Sequence, residues 1–167
     1  MSDLPKYFNN NEYSDLTIIV GEQKIPAHKI LVASTSPVFL SLVQSADSEG
    51  HVKIDGYDFS VVNTVIKYIY NGSIDMSCYS LDVFRFADKY KLKQLHLFHE
   101  IYFINHLNCT NVIKLVTFAK DVNSERLRSA CIKFICERRS EIVQQNKWEI
   151  LPIEVLREIF VYLSMNK

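Results

Sequence analysis

The chain's pattern of apolar and polar positions changes period near His28. Before it, Leu16–Val20 is rich in β-branched residues, Gly21-Glu22-Gln23 marks a turn, and residues 24–27 return as a second strand. From His28 the spacing becomes helical, and Ile30, Leu31 and Ser34 can share one face before Ser36-Pro37 stops the run. Residues 37–43 continue as a second helix carrying Val38, Phe39 and Leu42. Pairing across the hairpin brings Asp15, at the mouth of the first strand, to His28 and Lys29 at the end of the second. An ion pair or hydrogen bond is expected there.

Further along, residues 45–51 form a polar loop expected to be mobile, and Val52-Lys53-Ile54 alternates as a third strand. Asp58 is placed to cap a helix in which Phe59, Val62, Val65, Ile66 and Ile69 keep the 3.6-residue period; Asn71-Gly72 ends it. Ser73-Ile74-Asp75 predicts a short edge strand. Leu81 opens another helix with Phe84 and Ala87 inward, and a bend falls near Lys91. Positions 92, 95, 98, 99 and 102 mark a long amphipathic helix to about Leu107. The period restarts after Thr110, read as an N-cap, with a stripe of Val112, Leu115, Val116 and Ala119. A turn over 121–124 leads to a second stripe of Leu127, Ala130, Cys131, Phe134 and Ile135, giving two antiparallel helices. After Ile142 and Val143, Trp148 is expected to be buried. Pro152 starts a last helix with Val155, Leu156, Ile159, Phe160 and Leu163.

Three signatures in order, Ser14-Asp15-Leu16, Ala27-His28-Lys29 and Ser36-Pro37-Val38-Phe39, resemble the start of a BTB (POZ) domain. Tyr68-Ile69-Tyr70-Asn71-Gly72 and Ala87-Asp88-Lys89-Tyr90, with Leu92 after it, are similar to two later signatures of that family. The helices after residue 108 resemble the start of a BACK domain, and Lys147-Trp148-Glu149 looks most like the speckle-type POZ subfamily. The resemblance implies an α+β, mostly helical fold, with a small mixed sheet covered by helices and a truncated BACK-like bundle after it. The domains would be a lead-in at 1–12, a BTB/POZ domain at 13–108 and a partial BACK domain at 109–167.

Function follows from the same resemblance. It implies a homodimer whose interface includes Asp15, Lys29, Ile30, Leu31 and Phe39, and docking of the amino-terminal domain of cullin-3. Cullin-binding relatives carry a hydrophobic-x-Glu motif where this chain has Asp47-Ser48-Glu49. The glutamate is kept, but the aspartate removes an apolar anchor worth about 1.5–3 kcal/mol when buried, so docking is expected to be weakened and Asp47→Met to tighten it. Tyr57, Ser77, Tyr79, Val112 and Leu115 complete the expected cullin surface. The chain is thus expected to be an adaptor of a ubiquitin ligase, with neither a MATH domain nor kelch blades within its length. The alternative is an oligomerisation module without ligase activity, of the transcription-regulator type.

Composition narrows the chemistry. Lys plus Arg and Asp plus Glu are 19 each, so no net field recruits nucleic acid or an acidic membrane. The beginning of the chain has no signal-peptide pattern and no apolar run reaches transmembrane length. The 4 cysteines, Cys78, Cys109, Cys131 and Cys136, lack paired spacing, which suits a reducing compartment and a cytoplasmic or nuclear location. With only 4 glycines and no nucleophile elbow or phosphate loop, neither an enzyme nor a cofactor is expected. His96, His99, His106 and Cys109 have the residue types of a zinc site. The two pairs stand about 10 Å apart along one helix, too far for one ion, and His99 on the apolar stripe reads as a buried neutral imidazole.

Overall fold

The computed structural model describes residues 4–144 and 151–165. The chain forms two compact units, residues 1–96 and 97–167. The first is built on a three-stranded sheet of order β2-β1-β3. β1 (Leu16–Val20) pairs antiparallel with β2 (Gln23–Ala27), setting Ile18 opposite Ile25, and parallel with β3 (His51–Lys53), setting Ile18 opposite Val52. Alternation places Leu16, Ile18 and Val20 in the core with Ile25, Ala27 and Val52.

Two short helices follow the hairpin, α1 (Lys29–Thr35) and α2 (Pro37–Gln44). Ser36 separates them: its hydroxyl accepts the Phe39 N–H at 3.0 Å, and Pro37 occupies the first turn of α2, where a missing N–H costs nothing. α3 (Phe59–Asn71) ends on Gly72 in the left-handed conformation, φ 68°. Asp58 stands before α3 as expected, but its side chain makes no capping hydrogen bond. α4 (Leu81–Lys89) is capped by the Ser80 hydroxyl, and Lys91, at φ 54°, makes the bend into α5 (Lys93–Asn105).

α1 buries Val32, and Ile30, Leu31 and Ser34 share the other side, Ile30 and Ser34 exposed and Leu31 half-buried. Two expectations for this unit need correction. Residues 73–75 form no strand and lead into a 3₁₀ turn, Met76–Cys78. Phe39, expected at an interface, is fully buried in its own chain. Its ring lies 5.0 Å from Tyr90 and 6.2 Å from Phe86, which stack on each other at 4.0 Å.

The second unit is helical. α6 (Val112–Asp121) and α7 (Glu125–Glu137) pack along each other, followed by α8 (Arg139–Gln144) and α9 (Ile153–Met165). Both expected stripes point inward, although Ala130 and Phe134 are only half-buried. α6 starts after a reciprocal pair of asparagines and not at Thr110: Asn108 Oδ1 accepts the N–H groups of Thr110 and Asn111, while Asn111 Oδ1 accepts the Asn108 N–H. In α5, His99 and Glu100 are buried, but Phe98 lies partly at the surface and off the expected stripe. The Glu100 carboxylate accepts from the Ser124 hydroxyl at 2.7 Å and pairs with Arg126 at 3.1 Å. Trp148 lies outside the described residues.

Arg128 joins three helices of this unit. Its guanidinium is bidentate on Glu158 of α9, with Nε at 2.9 Å from Oε2, and Nη1 donates to the Val116 carbonyl of α6 at 3.4 Å. Glu158→Ala would leave a largely buried cation with one carbonyl. A loss of about 1–3 kcal/mol is expected, in the range for an unsatisfied buried polar group, read from a denaturant titration against wild type.

Candidate interaction surfaces

The start of α1 carries backbone N–H groups that no residue of the helix caps. His28, at the N-cap position, offers no side-chain hydrogen bond to them. Asp15, at the mouth of β1, supplies it: Oδ1 accepts the Lys29 N–H at 2.7 Å. The expected Asp15–Lys29 contact is therefore to the backbone of Lys29, where a carboxylate also favours the positive end of the helix.

The His28 side chain is held from two directions. Nε2 faces the Glu12 carbonyl at 3.1 Å, and since a carbonyl only accepts, Nε2 carries the proton. Nδ1 then accepts from the Tyr70 hydroxyl at 2.6 Å, while the same oxygen accepts the His28 N–H at 3.0 Å. Burial pushes the Tyr70 phenol up from its ordinary value, which keeps it a neutral donor. One tyrosine from α3 thus fixes the end of β2, the start of α1 and, through His28, the lead-in segment.

With α1 fixed, its outer side is apolar and open. Ile30 is 77% exposed and Tyr13 78% exposed. Together with Leu4, Tyr7, His28 and Leu31 they line a cleft of about 240 Å³. Tyr13 has φ 59°, a left-handed conformation uncommon for an aromatic residue and a local strain the surrounding contacts must hold. Of the expected interface set, Asp15, Lys29, Ile30 and Leu31 gather here. Tyr13, Leu4 and Tyr7 were missed because they precede the first periodic element; the aromatic residue two places before Asp15 was the available signal.

The second surface is the loop between α2 and β3. It is ordered by Asp47. Its Oδ1 accepts the Glu49 N–H at 2.9 Å and the His51 N–H at 2.8 Å, and Oδ2 faces His51 Nδ1 at 3.2 Å. The His51 N–H first, with the Glu49 N–H and the His51 ring, holds the Asp47 carboxyl below the usual carboxylate range against desolvation. The loop expected to be mobile is thus a turn closed by hydrogen bonds, with the Asp47 side chain still exposed. Glu49 remains exposed, its Oε2 3.4 Å from His51 Nδ1.

Tyr57 is half-buried, its ring 4.8 Å from Phe86 and covered by the Lys89 ammonium at 5.1 Å. Ser77 is exposed and Tyr79 half-buried, next to Met76, which is 68% exposed and went unnoticed in the sequence. Val112 and Leu115 leave the expected cullin set. Both are buried among the helices of the second unit, because they form the very stripe that packs α6 on α7.

Of the metal candidates, His99 is buried, His106 turns Nδ1 to the Tyr102 carbonyl at 2.7 Å, and the Cys109 thiol donates to Glu141 at 3.4 Å. Among the described residues no three His, Cys, Asp or Glu side chains are grouped to hold a metal ion, and no helix is long and apolar enough to cross a membrane.

A family model for the BTB/POZ domain matches residues 4–107. The chain belongs to the BTB/POZ family. BTB/POZ domains are protein-interaction modules, which agrees with the exposed apolar and polar surfaces described above. Among its relatives, BTB/POZ domain-containing protein 9 of Drosophila melanogaster is 25% identical over 164 residues, covering 95% of this chain and 23% of that protein. TD and POZ domain-containing protein 1-like of Mus musculus is 28% identical over 156 residues, covering 88% and 42%. The chain therefore spans less than half the length of either relative. The BTB domain of human gigaxonin has the same fold, with a TM-score of 0.50 and 22% identity over 55% of this chain and 78% of that one.

Two measurements check these arrangements. Tyr70→Phe removes the partner of both the His28 N–H and Nδ1, and should cost about 1–3 kcal/mol in a denaturant titration. For the loop, a carboxyl held low in the folded chain contributes stability that is present above its unfolded value and is lost as pH falls through its folded value. The Glu49 and His51 amides should therefore stay protected from exchange through neutral and mildly acidic pH. They should lose protection only below the ordinary carboxylate range, as followed by amide exchange on an NMR pH series.

Proposed function

We propose that this chain is a dimerising BTB module that serves a cullin-3 type ubiquitin ligase as a substrate adaptor. The observation that carries the self-association is the exposed apolar patch around Ile30 and Tyr13, next to a capped and immobilised α1. A two-fold contact centred on α1 would cover this patch with its own copy. Docking of the cullin amino-terminal domain would use the Asp47–Glu49 turn, Tyr57 and the Ser77–Tyr79 region of the first unit. Residues 109–167 are read as a partial BACK extension of the speckle-type POZ kind, which supports the adaptor reading over a bare oligomerisation module.

The second reading, an oligomerisation module without ligase activity, is favoured by one observation: no apolar side chain stands at position 47 to anchor a cullin. Light scattering with and without a cullin-3 amino-terminal domain separates the two. The chain alone should run as a dimer at micromolar concentration, and the mixture should gain the mass of bound cullin. Ile30→Asp should give monomers, since burying an unpaired carboxylate across an apolar contact is costly. A chain that stays monomeric, or a dimer to which no cullin adds, would remove the corresponding half of the proposal.

A further inference from the structure

The Asp47 side chain is exposed, yet both of its oxygens are engaged within its own turn. The Glu49 N–H and the His51 N–H end on Oδ1, and Oδ2 faces the His51 ring. Its own backbone closes the same turn: Asp47 N–H donates to the His51 carbonyl at 3.2 Å, and the Asp47 carbonyl accepts the Gly50 N–H at 3.0 Å. The base of the turn is then clamped to the sheet. Gly50 accepts the Thr17 N–H at 2.9 Å, and its α-carbon, at φ 78°, lies so close to Asp15 that an added Cβ would stand 2.6 Å from that carbonyl. The loop that Asp47 closes is thereby seated on the strand that also presents Asp15 to α1. At its apex Ser48 and Glu49 remain exposed, and Glu49 is steered by the neighbouring His51 ring.

We propose that Asp47 is a positioning residue of the docking surface, holding the 45–51 turn in the form that presents Ser48 and Glu49, so that the partner contact at this turn is polar. This rests on the docking reading above and changes its chemistry. The aspartate is then no defective apolar anchor. It replaces an anchor that touches the partner with a carboxylate that organises the chain's own backbone. A partner suited to the turn offers hydrogen-bond donors or a cation to Glu49, in place of an apolar pocket.

The test uses the full chain, a cullin-3 amino-terminal domain as probe, and the variants Asp47→Asn, Asp47→Ala and Asp47→Met. Asparagine keeps an oxygen for both N–H groups and can donate to His51 Nδ1; alanine and methionine can do neither. Calorimetry should give Asp47→Asn an affinity within about threefold of wild type, and the other two a loss of about tenfold, the scale of one net hydrogen bond to a charged group. Exchange of the Glu49 and His51 amides should accelerate in Asp47→Ala and Asp47→Met and stay slow in Asp47→Asn. Tighter binding by Asp47→Met than by wild type overturns the proposal. So does Asp47→Met with protected amides and undiminished binding, or Asp47→Asn binding as poorly as Asp47→Ala while its amides stay protected. A wild-type chain that binds no cullin overturns the docking reading and this one with it. Those two failures are told apart because only the first leaves wild-type binding intact.

Discussion

The unsatisfied N–H groups at the start of α1 are the constraint on which the first unit depends. His28 is extended, as N-cap residues are, but its side chain makes no hydrogen bond to the start of the helix. The requirement is met from outside by Asp15 and Tyr70. Those two residues sit in different elements, so satisfying one helix end fixes the hairpin, α1 and α3 together. The exposed apolar side of α1 is a consequence: a helix held by polar contacts at its end and by Val32 beneath needs no burial of Ile30.

The 45–51 turn repeats this logic at smaller scale. A carboxylate accepts several backbone donors at once, and in doing so defines the position of the residues between them. Asp47 is exposed yet committed, and its role is visible only through its partners. Gly50 completes the arrangement for steric reasons, since the turn closes against the Asp15 carbonyl and leaves no space for a side chain.

In the helical unit the packing stripes do most of the work, and polar groups settle the details. Arg128 is drawn into the interior by the aliphatic part of its side chain, and its charge is met by Glu158 and the Val116 carbonyl. Removing the half-exposed Glu158 carboxylate would leave the Arg128 guanidinium with the Val116 carbonyl. Glu100 is treated likewise by Ser124 and Arg126.

Much of this protein could be read from its sequence by local rules. The β-branched hairpin, the Ser36-Pro37 corner, the Gly72 cap and the α6 and α7 stripes follow from period and propensity, which act over a few residues. The BTB signatures, spread over the same elements, gave the family. Tertiary structure decided whatever depends on partners distant in sequence. That Phe39 faces Phe86 and Tyr90 and not another chain is a matter of which elements stack. That residues 73–75 form no strand depends on what lies beside them, and that Asp15 meets the backbone of Lys29 depends on how the hairpin ends align. Asp47 shows the limit most clearly: the family resemblance sets it where relatives carry an apolar anchor, but only its three-dimensional neighbours show that its oxygens are already engaged within the loop. Period and propensity are local, whereas the satisfaction of a polar group is a property of everything that folds around it.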